Sequence, residues 1–373
     1  YKVQPKLKII VLPNSEGFAR PSPNNDETSW EWSIDSNPTY KVIPAKEEII
    51  VFENEYLRSM VQKIIFSKGK SDIIYKSEVD KIDTLHIYEA IDLSELSKFP
   101  NLESLLITKC DISDISPLES LTKLSYLNLY ENDITDISSL RNLTNLLHLS
   151  LFDNNISDIS PLENLTNLIY LDLHRNNISD ISALKNLTKL YYLDLSGNNI
   201  TDISVIKDHF HLRYLAASDN EINEIPIFKD FYILTHLDLS NNNINDISPL
   251  ENVDIYRNLI LNGNNISGIS ALKRHTQLMR LELSENKLRD LSVLQNLTKL
   301  QILLLSNNNI SDIKQLENLY ELYHLSLTNN NINDISPLEN LRYLNYLYLS
   351  GNDISDFSPL LNLTNLEHTD IDL

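Results

Sequence analysis

The side chains of this 373-residue chain that could do chemistry are nine histidines, one cysteine and 52 carboxylates, and their spacing decides what is open to them. His148, His236 and His324 stand 88 residues apart, which is four copies of the 22-residue unit described below. On a sheet that separation is about 20 Å, so they share no ion. Cys110 can form no intrachain disulfide and fills a place held elsewhere by a structural Asn, which implies a buried thiol. Gly69-Lys70-Ser71 looks like the end of a phosphate-binding loop, but Ile64 stands where its first glycine belongs. A column of aspartates (Asp114, Asp136, Asp158, Asp180, Asp202, Asp246, Asp290, Asp312, Asp334 and Asp356) could be read as calcium ligands. Each is a whole unit or more from the next, without the dense oxygen spacing of a calcium loop, and helix capping explains the column with less. The chain is therefore expected to have no catalytic residue, no cofactor and no metal.

The elements that must position these groups follow from one frame. Counting from Leu168, Leu recurs at positions one, four and six, Asn at nine, Ile at eleven and fourteen, Asp at thirteen, and Leu at seventeen and twenty. The frame repeats every 22 residues, its Asn falling at Asn132, Asn154, Asn176, Asn198, Asn220, Asn242, Asn264, Asn286, Asn308, Asn330 and Asn352, with Cys110 one unit earlier. No insertion or deletion interrupts it. Alternation such as Leu171-Asp172-Leu173 makes a short strand with both Leu inward, pairing in parallel with its neighbours about 4.8 Å away. The Asn amide should bond the backbone of its own and the adjacent unit, and Asp158 or Ser160 should cap the turn leading to Leu162. The result is an α/β repeat solenoid, a curved leucine-rich-repeat horseshoe with parallel strands on the concave face and short 3-10 turns on the convex face. The frame is broken at Ala217, Glu224-Ile225-Pro226, Gly268 and His275, all within three successive units, implying local repacking, a bend or a partner contact.

Composition narrows the partners. A net charge of −21 repels phosphate backbones and anionic membranes, and no apolar run is long enough to span a bilayer. Only six glycines argue against a glycine-rich linker or nucleotide loop. Many Asn-x-Ser/Thr sites, such as Asn142-Leu143-Thr144, would risk sugars in a eukaryotic secretory pathway, so a bacterial or cytosolic origin is expected.

Before the repeats, residues 1–50 form an extension with short strands expected in Lys6 to Leu12 and Trp30 to Ile34. Residues 51–81 form a helical cap: Leu57, Met60, Val61, Ile64 and Ile65 give Glu53 to Phe66 helical spacing, Gly69 ends it, and a turn starts at Ser77 with Asp80 as its capping-box partner. Such a cap shields a first strand that would otherwise expose Leu and unpaired backbone. Ile82, Leu85 and Ile87 match Leu102, Leu105 and Ile107 at a spacing of 20, an atypical opening unit of the repeats, which run over 82–373. The last unit is cut short after an expected strand Thr369 to Ile371, so more protein is expected to follow.

Asn142-Leu143-Thr144-Asn145-Leu146, the run from Asn154 through Asp158 to Leu162, their copies, and the helical stretch Phe52 to Lys70 resemble the internalin family of Gram-positive bacteria over residues 50–373. The resemblance implies a secreted or wall-attached protein whose concave face binds a host or cell-surface protein. Residues 1–50 depart from the family's cap, and the immunoglobulin-like domain that usually closes the repeats is not in this segment.

On the strands, positions three, five and seven should face solvent. Position three reads Tyr126, His148, Tyr170, Tyr192 and Tyr214, and position seven adds Tyr130, Phe152 and His174. Together they make an aromatic stripe of the kind that supplies binding hot spots, expected to engage a protein partner with the chain as a monomer. Asp172, Asp194, Asp238 and Glu282 at position five should give a negative floor that favours Lys or Arg on the partner. The rival reading is a cytoplasmic scaffold or regulatory subunit that binds an enzyme such as a phosphatase, since 22-residue repeats occur there too.

Overall fold

The computed structural model describes residues 48–65, 73–228 and 234–371. The strands expected at Lys6 to Leu12 and Trp30 to Ile34, and Phe66 and Gly69 to Ser71, lie outside them. The chain divides into two compact units, Tyr1–Ile82 and Asp83–Leu373.

In the first unit, Ile49–Ile50 pairs antiparallel with Ile74–Tyr75. Helix α1 spans Glu55–Ile65, opened by Asn54, whose Oδ1 accepts the Leu57 N–H at 2.9 Å. Leu57 and Val61, one turn apart, are its buried residues, whereas Ile64, expected on the apolar face, is exposed. The second short helix, α2, spans Lys76–Val79, one residue earlier than Ser77. Its capping carboxylate is Glu78, which accepts the Tyr75 N–H at 3.1 Å. Asp80, expected in that role, instead ends the helix and pairs with Lys76 at 2.6 Å.

The second unit is a curved leucine-rich-repeat solenoid. Fourteen strands, from Thr84–Ile87 to His368–Thr369, form one parallel sheet in strict chain order. The 20-residue opening step is real, for Leu85 pairs with Leu105 and Ile87 with Ile107. Inward Leu at positions four and six, as in Leu171 and Leu173, are fully buried, and Ile178, Ile181 and Leu184 close the core behind them. Hydrophobic burial of roughly 1.5–3 kcal/mol per such side chain is the main force stacking the units.

The Asn column is a continuous polar ladder beside that core. Asn176 Nδ2 donates to the carbonyls of Leu151, Leu173 and His174 at 3.0–3.3 Å, and its Oδ1 accepts the Ile156 N–H at 3.0 Å. The arrangement recurs from Asn132 to Asn352, so each amide joins two units. Cys110, in the first slot, is buried, with its thiol 3.1 Å from the Thr108 carbonyl and its pKa pushed up by burial.

The Asp column caps the convex turns. Asp158 Oδ1 accepts the Ser160 N–H at 2.8 Å where the 3-10 turn Ser160–Leu162 begins, and Asp180, Asp202 and their counterparts do the same. These bonds hold Asp114, Asp158, Asp180, Asp246, Asp334 and Asp356 below the usual carboxylate range. The turn Ser270–Arg274 forms without this cap, Gly268 standing in the Asp position.

Regularity fails where the frame breaks. Strand Leu234–Asp238 pairs with Ile255–Ile260 across a register shift between Leu234 and His236, and both exceed the three-residue strands of most repeats. At the far end the strand is His368–Thr369, shorter than expected and one residue earlier. Beyond it Asp370 replaces backbone pairing, its carboxylate accepting the Leu349 and Ser350 N–H groups at 2.7 and 3.1 Å. Among the described residues no helix is long and apolar enough to cross a membrane.

Candidate binding site on the concave sheet

Parallel strands in register place the same repeat position of successive units one above another, at a spacing close to the thickness of an aromatic ring. The position-three side chains use this. Tyr126, His148, Tyr170, Tyr192, Tyr214 and His236 stack face to face with ring centroids 4.0–4.4 Å apart and planes within 20° of parallel. At position seven Tyr130, Phe152 and His174 form a second stack at 4.7 and 4.4 Å. All eight expected stripe residues thus lie on one surface in two stacks, and His236 extends the longer one.

The stripe is less open than an ordinary exposed strand. Every ring is half-buried, and within each stack the faces are covered by neighbouring rings, with the Tyr192 hydroxyl 3.5 Å from Asp194 Oδ2. Burial pushes the Tyr170 hydroxyl up to about 12, and Tyr192 and Tyr214 shift up for the same reason, with Asp194 adding to it. These phenols therefore remain protonated donors. Burial also lowers the pKa of His148 and His236, keeping both imidazoles neutral within the stack.

The acidic floor differs from expectation at two of four positions. Asp172 is buried and bonded to His174, Nδ1 to Oδ1 at 2.8 Å, an interaction that raises the His174 pKa. Glu282 is buried too, paired with Arg280 of its own strand and bonded by Asn262. Both were expected to face solvent, but their larger neighbours fold over them. Asp194 and Asp238 remain half-exposed, each accepting the N–H of the Ser two residues on at 2.9 Å. Arg280 sits in the position-three column among Asn258 and Ile302, where the long stack has ended.

Position two also faces outward, which the sequence reading did not use. Leu147, Ile169 and Tyr191 are 45–50% exposed beside the middle of the stack, and Arg213 lies over the Tyr191 ring at 5.6 Å. Their signal was available in sequence: large apolar residues at a position that is polar in many other units. A second aromatic group, His324, Tyr346 and His368 with Tyr323 and Tyr348, occupies the last strands, less regularly stacked.

Fold and surface together define a leucine-rich-repeat solenoid with an aromatic concave face. The family models described as Leucine Rich repeats (2 copies) match residues 100–142, 144–186, 166–208 and 298–340, and single-repeat models match 234–253 and 340–356. An internalin of Listeria monocytogenes, InlF, is 32% identical, with 87% of this chain and 96% of that one covered and a TM-score of 0.67. The functional domain of InlJ from the same organism shares the fold at 22% identity, 78% coverage of each chain and a TM-score of 0.53. A leucine-rich-repeat protein of Leptospira interrogans does so at 24%, 74% of each chain and 0.67. No curated protein sequence matches the chain. The chain belongs to the internalin-like family of bacterial leucine-rich-repeat proteins.

Proposed function

We propose that the chain is a recognition module that binds a cell-surface protein, of a host or of another cell, through its concave face, and that it acts outside the cell or on the cell wall. The observation that carries this reading is the pair of ring stacks flanked by exposed Leu147, Ile169 and Tyr191. Leu147, Ile169 and Tyr191 stand just before three successive strands, beside the stacked rings, so partner contact over this contiguous surface removes apolar area from water. Ring edges and protonated phenols supply hydrogen bonds, and Asp194 and Asp238 favour a partner with basic groups. Membership of the internalin-like family supports an extracellular setting over a cytoplasmic regulatory subunit.

The test compares the labelled chain with a variant carrying Tyr126→Ala, Tyr130→Ala, Phe152→Ala and Tyr170→Ala on intact cultured animal cells. Saturable binding that is abolished in the variant and lost after protease treatment of the cells is the expected outcome. The four changes remove stacking pairs worth about 0.5–1.5 kcal/mol each. The variant's fold is therefore checked by circular dichroism, and a folded variant that bound like the wild type would sink the concave-stripe reading.

A further inference from the structure

The geometry points to a site for a divalent transition-metal ion between the two ring stacks, held by Asp172, His174 and Asp194. Asp172 and Asp194 are register partners on adjacent strands, and His174 follows Asp172 by two residues on the same strand. One ligand atom from each of the three lies within 4.8 Å of the other two. A tetrahedral ion with ligand bonds of about 2.0–2.1 Å holds its ligand atoms roughly 3.3–3.4 Å apart. The His174 Nδ1 to Asp172 Oδ1 distance of 2.8 Å is close to that spacing, so small adjustments of the three side chains suffice to surround one ion.

Three features mark the trio as more than an acidic patch. The imidazole is fixed: it stacks on Phe152 at 4.4 Å, with planes 9° from parallel. The carboxylates are fixed too, Asp194 by the Ser196 N–H at 2.9 Å and Asp172 by the His174 N–H at 3.2 Å, each leaving lone pairs to spare. The carboxylates are crowded: Asp172, buried, and Asp194, half-buried, meet beside one imidazole. A divalent ion would balance two carboxylates. A basic side chain from a partner would neutralise one.

The donors select the ion. One imidazole nitrogen and two carboxylate oxygens suit the zinc class, whereas calcium takes six to eight oxygens that this site does not offer. Three protein ligands leave at least one coordination position toward the concave groove, open to water or to a donor group of a docked molecule.

The test is calorimetric titration of the whole chain with Zn²⁺ in the absence of any partner, so that its result is independent of the proposed recognition role. One equivalent should bind, with affinity falling at least about tenfold in Asp194→Asn and in His174→Gln. Cooperative melting of the metal-free variants shows that they fold. A second readout uses the unaltered protein: Co²⁺ should shift the ring-proton resonances of His174 and leave those of His368 in place. No Zn²⁺ binding, equal affinity in the variants, an unshifted His174, or displacement of Zn²⁺ by an equal concentration of Ca²⁺ would each overturn the assignment.

Discussion

Asn220 shows how one side chain fixes a corner of the coil. Its Nδ2 donates to the Leu195, Ala217 and Ser218 carbonyls at 3.0–3.3 Å and its Oδ1 accepts the Ile200 N–H at 2.9 Å, all out of reach of water or nearly so. Asn220→Ala leaves these backbone groups without partners and is expected to destabilise the protein by about 1–3 kcal/mol. A denaturation midpoint equal to that of the unaltered chain would show that the ladder bonds matter little. Tyrosines of the stripe sit at the same scale but do different work, because a stacked ring both packs and presents an edge. Removing one is expected to affect stability and binding together, which is why the binding test above carries a folding control.

A repeat is stabilised through its neighbours, so strands differ in protection according to what flanks them. Tyr192–Asp194 has a strand on each side and lies over fully buried Leu190, Leu193 and Leu195. The last strand, His368–Thr369, has a neighbour on one side; Leu361 in the turn before it is 81% exposed, and Asp370 side-chain bonds stand in for a continuing ladder. Backbone amides in 360–371 are expected to exchange with solvent faster than those in 190–205. Equal protection of the two segments would mean that Asp370 closes the sheet as well as a strand does. The turn Ser270–Arg274 carries a related lesson: it forms without the Asp cap, so burial of Leu272 and His275 holds it and capping only adds to that.

For the molecule as a whole, histidine burial sets the response to acid. His209 and His275 fill the position-twenty Leu slot and are buried. Burial lowers the pKa of each below the ordinary 6.5, although His209 Nε2 reaches the Leu184 carbonyl at 3.0 Å and Asp208 and Asp254 lie near. His148, His236 and His324 are lowered for the same reason. For such groups the unfolded chain takes up the proton more readily, so stability is full above about pH 6.5 and falls as pH drops below it. His174, raised by Asp172, acts oppositely: its contribution is full below pH 6.5 and is lost as pH rises through its elevated value. Five groups against one give a lower melting temperature at pH 5 than at pH 7. His209→Leu with His275→Leu, which restores the residue used by most other units, should shrink that difference. A double variant with the same acid loss would place its origin elsewhere.

Much of the repeat unit was legible in the sequence because a 22-residue period without interruption dictates which positions meet: Leu171 must stack on Leu193, and Asn176 must reach the unit before it. The buried core, the Asn ladder, the capping Asp and the location of the stripe follow from that periodicity alone. His209 is legible in the same frame, since it stands at position twenty as His275 does. Other features depend on side-chain directions, which periodicity does not carry. The stacking of Tyr170 between His148 and Tyr192 needs rotamers that agree across strands, and the covering of Asp172 and Glu282 depends on how His174 and Arg280 fold over them. The left-handed backbone at position eight, from Lys109 to Gly351 with φ of 51–70°, is occupied by Lys, Glu, Asp, Arg, Asn and Gly alike, so residue type did not announce it. The meeting of Asp172, His174 and Asp194 also waited for the structure: a separation of 22 residues becomes a few ångströms only when adjacent strands pair in register and the side chains converge.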